Sequence, residues 1–148
     1  MFDKVMVAVD GSEHALRAVD AAAVIAQGCG SELIVLTVLE SSKLPQDVRQ
    51  FAESEHMMER EMALANRLVG EPITSQAAMR ATKNGVKNVT QLIEDGEAAK
   101  EILHVAKTMS VDLIVVGSRG LGTIRGLLLG SVSHKVMHLS ECPCMTVK

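Results

Sequence analysis

The chain has 148 residues, 47% of them hydrophobic, and a formal net charge of −3 at pH 7, which suits a single domain (1–148) with a sizeable core of its own. Two phenylalanines, no Trp or Tyr and an acidic balance argue against nucleic-acid modules, which stack bases on aromatic platforms and present basic faces. Cys29, Cys142 and Cys144 are too few for a secreted disulfide scaffold, and Cys-Pro-Cys lacks the spacing of common zinc and redox motifs. With no apolar run of about 18 residues to span a membrane and no signal-peptide order at the N-terminus, a soluble cytoplasmic protein is expected.

In chain order, the apolar run 5–9 (VMVAV) reads as a strand buried on both faces. Ser12 then offers an N-cap, and Ala15, Leu16, Val19, Ala22, Ala23 and Ala26 follow helical spacing until Gly28 and Gly30 end the run. The run 33–39 (LIVLTVL) is the second strand. Residues 40–47, rich in Ser, Pro and charge, are expected to be a mobile loop. A longer amphipathic helix over 46–69 carries Val48, Phe51, Met58, Met62, Ala65 and Val69 on one stripe, with Glu53, Glu55, Glu59 and Glu61 on a solvated face. Gly70 and Pro72 interrupt it, a further helical piece spans 73–83, and 86–93 is the third strand. The third amphipathic helix, 97–109, turns Ala98, Ile102, Val105 and Ala106 inward, with Glu97 near its positive end. Strand four covers 111–116, helix four follows Gly130-Ser131, and Cys144 to Val147 form a last strand after Pro143. Nine methionines supply core volume that aromatics do not. Strands alternating with helices predict a doubly wound three-layer sandwich, with ligands outside the carboxyl ends of its strands where strand order reverses.

The stretch 115–136, VVGSRGLGTIRGLLLGSVSHKV, runs from a strand through a glycine-punctuated loop to a helix start. Glycines let backbone approach an anion, and a helix N-terminus adds unpaired N–H donors and a positive dipole end. No Asp or Glu falls between Leu113 and Ser140, whereas Arg119, Arg125 and Lys135 do. The stretch is neither a Walker P-loop nor a GxGxxG fingerprint. A long turn closed by a serine-capped helix would look the same locally. Asp10, at the end of the first strand, faces the same predicted crevice and is suited to accept ribose hydroxyls or help hold a cation; an Asp-Gly-Ser turn or cap is the alternative. Arg119 is placed to reach phosphate bidentately. His134 and His138, four apart, lack an acidic or thiol partner in sequence and read as surface or packing residues, while His14, His56 and His104 are scattered with no triad pattern.

Gly117-x-x-Gly120, nine residues, then Gly130-Ser131, taken with VAVDGS at 7–12, LIVLTV, VDLIVVGSRG, LLLGSVSHKV and the ending ECPCMTVK, resembles the universal stress protein family in its nucleotide-binding branch, over essentially the whole chain. The resemblance implies a Rossmann-like, adenine nucleotide alpha hydrolase-like fold with a five-stranded parallel sheet in the order 3-2-1-4-5. It implies ATP or AMP as ligand, Mg2+ accompanying ATP. Ala8, Val9 and Val38 match positions that hold adenine, partly through main-chain groups, and Asp10 matches the ribose-contacting carboxylate. Gly117, Arg119 and Gly120 match the loop over ribose and phosphates, and Gly130, Ser131, Val132 and Ser133 the phosphate-binding helix start. A homodimer paired through Cys144 to Val147 is implied, with no nucleic-acid partner and no membrane span. The function expected is a nucleotide-responsive regulatory module of the stress response; the alternatives are a slow ATP hydrolase using Asp10, and an interaction protein of the same fold without nucleotide. Two departures stand out. Gly96-Glu97-Ala98 replaces the family's frequent Gly-Asp-Pro, which predicts an altered helix entry without loss of binding, and 70–85 is less regular than the family's second helix.

Overall fold

The computed structural model describes residues 1–40, 63–121 and 129–148, with 46, 47 and 50. Residues 41–45 of the expected loop, Val48, Phe51, Met58 and Met62 of the predicted stripe, the glutamates at 53, 55, 59 and 61, His56 and Arg125 lie outside that set.

Five parallel strands form one sheet: β1 (Lys4–Ala8), β2 (Glu32–Leu39), β3 (Val89–Asp95), β4 (Leu113–Gly117) and β5 (Cys144–Val147), in the order β3-β2-β1-β4-β5. Both the doubly wound sandwich and its predicted strand order are observed. β1 sits centrally, with Val5 opposite Leu33 on one side and Leu113 on the other. The alternation of a strand divides its apolar residues between two cores. Val5, Val7, Leu33, Val35, Leu113 and Val115 pack under helices α1 (Glu13–Cys29) and α2 (Glu71–Lys83). Met6, Ile34, Leu36, Ile114 and Val116 pack under α3 (Ala98–Thr108) and α4 (Ser131–Leu139). Nearly every side chain of the three inner strands is therefore buried, which is why those runs lack polar alternation.

Helix α1 starts as expected, with the Ser12 hydroxyl accepting from the Ala15 N–H at 3.2 Å. Its end differs from the expectation at Gly28. That residue remains helical, and the chain turns at Gly30 (φ 72°), where the Gly30 N–H reaches the Gln27 carbonyl and the Ser31 N–H the Ala26 carbonyl. This paired closure supplies donors to the otherwise unpaired carbonyls of the helix end and leads straight into a strand. It recurs after α2, around Gly85, and after α3, around Ser110 at φ 55°. In the third helix the half-buried Ala98 yields its expected inward place to Ala99, which is buried with Ile102, Val105 and Ala106.

The predicted interruption at Gly70 and Pro72 is also corrected. Ala65, Gly70 and Glu71 all keep right-handed helical backbone, and Asn66–Gly70 form a π-helical turn in which the Glu71 N–H reaches back to the Asn66 carbonyl. Proline has no N–H to give and crowds the carbonyl four residues earlier. One widened turn absorbs both problems without breaking the helix, and Pro72 falls in the first turn of α2.

Candidate nucleotide site at the β1–β4 switch point

Strand order reverses between β1 and β4: α1 carries the chain from β1 outward to β2, and α4 carries it from β4 outward to β5. The carboxyl ends of β1 and β4 thus flank the crevice that such sheets use for ligands. Ala8, Val9 and Asp10 stand on one side, and Gly117, Ser118, Arg119 and Gly120 on the other.

Asp10 bridges the two sides. Its Oδ1 accepts the Ser12 N–H at 2.9 Å and its Oδ2 the Leu121 N–H at 3.2 Å. The first bond is the turn foreseen from Asp-Gly-Ser; the second, across the crevice, is not legible in sequence. Gly120 is required here because a Cβ on it would lie 2.6 Å from the Asp10 Oδ2. Gly117 is required for another reason: a Cβ there would come within 2.9 Å of the His14 carbonyl carbon, so the start of α1 lies directly on the end of β4.

Alternate residues of β2 turn their backbone groups to opposite neighbours. The Leu36 carbonyl faces β1 and accepts the Val9 N–H at 2.8 Å, while the Leu39 carbonyl faces the other way and accepts the Gly96 N–H at 3.1 Å. Val38 therefore presents its N–H and C=O toward the β1 side, above Ala8, the last residue of β1. Val9 itself is 6% exposed and its carbonyl accepts the Thr37 hydroxyl at 2.7 Å. That leaves Val38 as the residue with main-chain groups turned to the crevice, and Val9 as a wall.

At the start of α4 the cap position falls on the glycine, not on the serine of the alternative turn reading. Gly130, in extended conformation, holds the cap position; Ser131 is the first helical residue, and among the described residues no side chain caps the end. The first intrahelical bond is that of the His134 N–H to the Gly130 carbonyl, 3.0 Å. The N–H groups of Ser131, Val132 and Ser133 precede it and have no carbonyl to receive them within the helix. The Gly130 N–H is engaged, donating to the Ser118 carbonyl at 2.6 Å. Ser133, 3% exposed, turns its hydroxyl onto the carbonyls of Ser118 and Gly130, both at 3.1 Å, so its backbone and not its side chain is left for an anion. Val132 is partly buried against the second core.

Charge around this opening is sparse. No acidic residue lies in the first turn of α4. The half-exposed Arg119 makes no ion pair among the described residues. Lys135, counted in sequence with the positive set, is instead bound by Glu97 at 2.9 Å. At the entry to α3, Glu97 makes no cap bond, and Glu40, arriving from the end of β2, accepts the Ala98 N–H at 2.9 Å.

Other chemistry-bearing residues stand apart from the crevice. The His134 and His138 rings stack at 6.3 Å, 7° from parallel, on an exposed face, and among the described residues no group of three potential metal ligands forms. Burial pushes the Cys144 thiol above its ordinary value, with its sulfur 3.6 Å from the Cys142 carbonyl, so it stays a packed thiol. No helix among the described residues is long and apolar enough to cross a membrane.

Sequence reasoning missed Ser118. It is 1% exposed, it follows the last residue of β4, and its one sequence signal is a small polar residue wedged between Gly117 and Arg119.

Comparison with known proteins agrees with this architecture. The model of the universal stress protein family matches residues 1–148. Universal stress protein YxiE of Bacillus subtilis is 39% identical, and a universal stress protein of Thermus aquaticus 36% identical, each with both chains fully covered. Among solved structures, a universal stress protein in complex with cAMP aligns with a TM-score of 0.71 at 28% identity, covering 99% of this chain and 96% of that one. Matched along its whole length in sequence and fold, the chain belongs to the universal stress protein family.

Proposed function

We propose that the protein binds an adenine nucleotide, ATP or AMP, at the β1–β4 crevice and acts in the cytoplasm as a nucleotide-responsive module of the stress response. The observation that carries this reading is the start of α4: three successive backbone N–H groups, no side-chain cap, no acid in the first turn, and a glycine at the cap position. Such an end is complementary to an anion such as phosphate. The related protein solved with cAMP adds weight to an adenine nucleotide as the ligand.

The remaining contacts follow from chemistry. The Val38 N–H and C=O match the acceptor N1 and the donor N6 of adenine, whereas guanine presents the reverse pattern. Asp10 accepts ribose hydroxyls with lone pairs its two N–H donors leave over. Arg119 neutralises phosphate, with Gly117, Gly120 and Gly130 allowing close backbone approach. Mg2+ bound to ATP would be held chiefly by the phosphates, with Asp10 as the nearby carboxylate. Both Asp10 oxygens already accept N–H groups, an arrangement for holding and not for drawing a proton from water, so hydrolysis is the weaker reading. The unpaired outer edge of β5, with Met145 39% exposed, supports homodimer pairing through Cys144–Val147.

Calorimetric titration with ATP and AMP, with and without Mg2+, tests the reading. Binding heat is expected, with stabilisation of about 2.7 kcal/mol at a hundredfold excess over Kd. No heat and no rise in Tm would sink it.

A further inference from the structure

Ser118 is almost wholly buried at the side of the crevice and ties together four elements. Its N–H donates to the Val147 carbonyl at the end of β5 (2.7 Å), and its carbonyl accepts the Gly130 N–H at the start of α4 (2.6 Å) and the Ser133 hydroxyl (3.1 Å). Its own hydroxyl lies 3.4 Å from His14 Nδ1 on α1. Next to Val147, the Lys148 carbonyl accepts the Arg17 Nε–H of the same helix at 2.9 Å. The edge strand and the open amides of α4 are thus separated by one residue and two short backbone bonds.

We propose that Ser118 is the positioning residue of the phosphate-binding amides, and that the end of β5, through the Val147 carbonyl, is a working part of that site, so that nucleotide affinity and pairing of β5 with a second copy are coupled. Three features support it. A buried backbone polar group is costly to leave unpaired, so neither bond is readily given up and the Ser118 peptides move with both neighbours. Gly117 rests on the backbone of His14, which blocks the movement toward α1 that would otherwise absorb a shift. Ser133 adds a second tie from α4 to the same carbonyl, so the first turn of the helix and Ser118 form one unit. Drawing the amides of α4 onto phosphate then acts on Val147, and fixing β5 against a second copy acts on the amides; by linkage the two effects are equal in size.

The proposal rests on the nucleotide-binding reading above, and the test separates the two. In the full chain, exchange of the Ser118 amide is followed by NMR with and without saturating ATP, self-association is measured by sedimentation under both conditions, and ATP affinity is measured well below and well above the dimer dissociation constant. Expected are at least tenfold slower exchange at Ser118 and one common factor, fivefold or more, in the two affinities. A chain ending at Thr146 is expected to bind ATP at least fivefold more weakly, whereas Arg17→Ala, which frees Lys148 and the exposed Glu13 but leaves the Val147 carbonyl in place, stays within twofold of the parent. ATP binding with unchanged Ser118 exchange and unchanged self-association overturns the coupling while the nucleotide reading stands; so does a chain monomeric at both ATP levels. Should the intact chain bind no ATP, both fall. If the shortened chain does not fold, exchange and sedimentation on the intact chain decide.

Discussion

Helices α1 and α4 begin at the carboxyl ends of adjacent strands, on either side of one crevice, yet they are finished in opposite ways. At α1 the chain supplies side-chain acceptors of its own: Ser12 takes the Ala15 N–H, Asp10 takes the Ser12 N–H, and Glu13 adds negative charge in the first turn. At α4 no such side-chain acceptor is found among the described residues. Gly130 has no side chain, the first turn has no acid, and the buried hydroxyl of Ser133 is turned onto carbonyls. Even α3, whose own Glu97 does not cap it, receives the Glu40 carboxylate. A helix dipole attracts anions at every start; where the chain provides its own acceptor the attraction is spent on folding, and where it withholds one the attraction is left for a ligand.

The sharpest way to break this contrast is to give α4 what α1 has. Gly130→Asp places a carboxylate at the cap, with extended backbone (φ −73°, ψ 165°) and only ordinary contacts of 3.5–3.7 Å awaiting the new Cβ. ATP affinity is expected to fall by about a hundredfold or more, near 2.7 kcal/mol, with Tm unchanged or slightly raised because Asp caps at least as well as Gly. Titration calorimetry and a thermal scan on one sample read both, and retained binding would refute the contrast. Gly130→Val, which fills the same space without charge, should likewise abolish binding. Next in size is Gly117→Ala, which forces α1 and β4 apart and should destabilise the fold by about 1–3 kcal/mol in a denaturant titration. Ser12→Ala should lower stability by about 1 kcal/mol and leave ATP binding as it was, since α1 holds no ligand.

The smallest effect lies away from the crevice, where Arg80 on α2 grips Asp20 on α1 with bonds of 2.7 and 2.6 Å. The bond to Arg80 holds the Asp20 carboxyl below its ordinary 3.8. A carboxyl whose value is lowered by folding stabilises above the unfolded value and loses that contribution as pH falls through the folded one. Both side chains are about 40% exposed, so screening keeps the pair below about 1 kcal/mol. Arg80→Met should show that deficit at pH 7, lose it below pH 3.8, and bind ATP like the parent.

What could be read from sequence was what is local. The Ser12 cap is spelled within three residues, and the inner strands announce themselves as unbroken apolar runs because both their faces are covered. Gly130-Ser131 marked the right helix start, and of the two residues it is the glycine that takes the cap position. Pro72 was read as a break because proline cannot serve a regular helix; a π-helical turn, which has no sequence code of its own, was the solution adopted. The cap of α3 comes from a residue 58 positions earlier, and the Ser118 junction is made largely of backbone groups whose partners are chosen by packing alone. Those features depend on tertiary placement, and no motif carries them.

The central position of β1 has a consequence in time. The Lys4 N–H is held by Asp112, 108 residues further along the chain. β1 can therefore pair with β2 early in synthesis, but its other edge stays bare until β4 has been made. Long-range parallel pairing is slow, and unpaired apolar edges are where growing chains aggregate. The run Val5–Val7, fully buried in the finished sheet, is thus exposed for long at birth, and folding yield should be set by how fast the second half of the chain arrives to cover it.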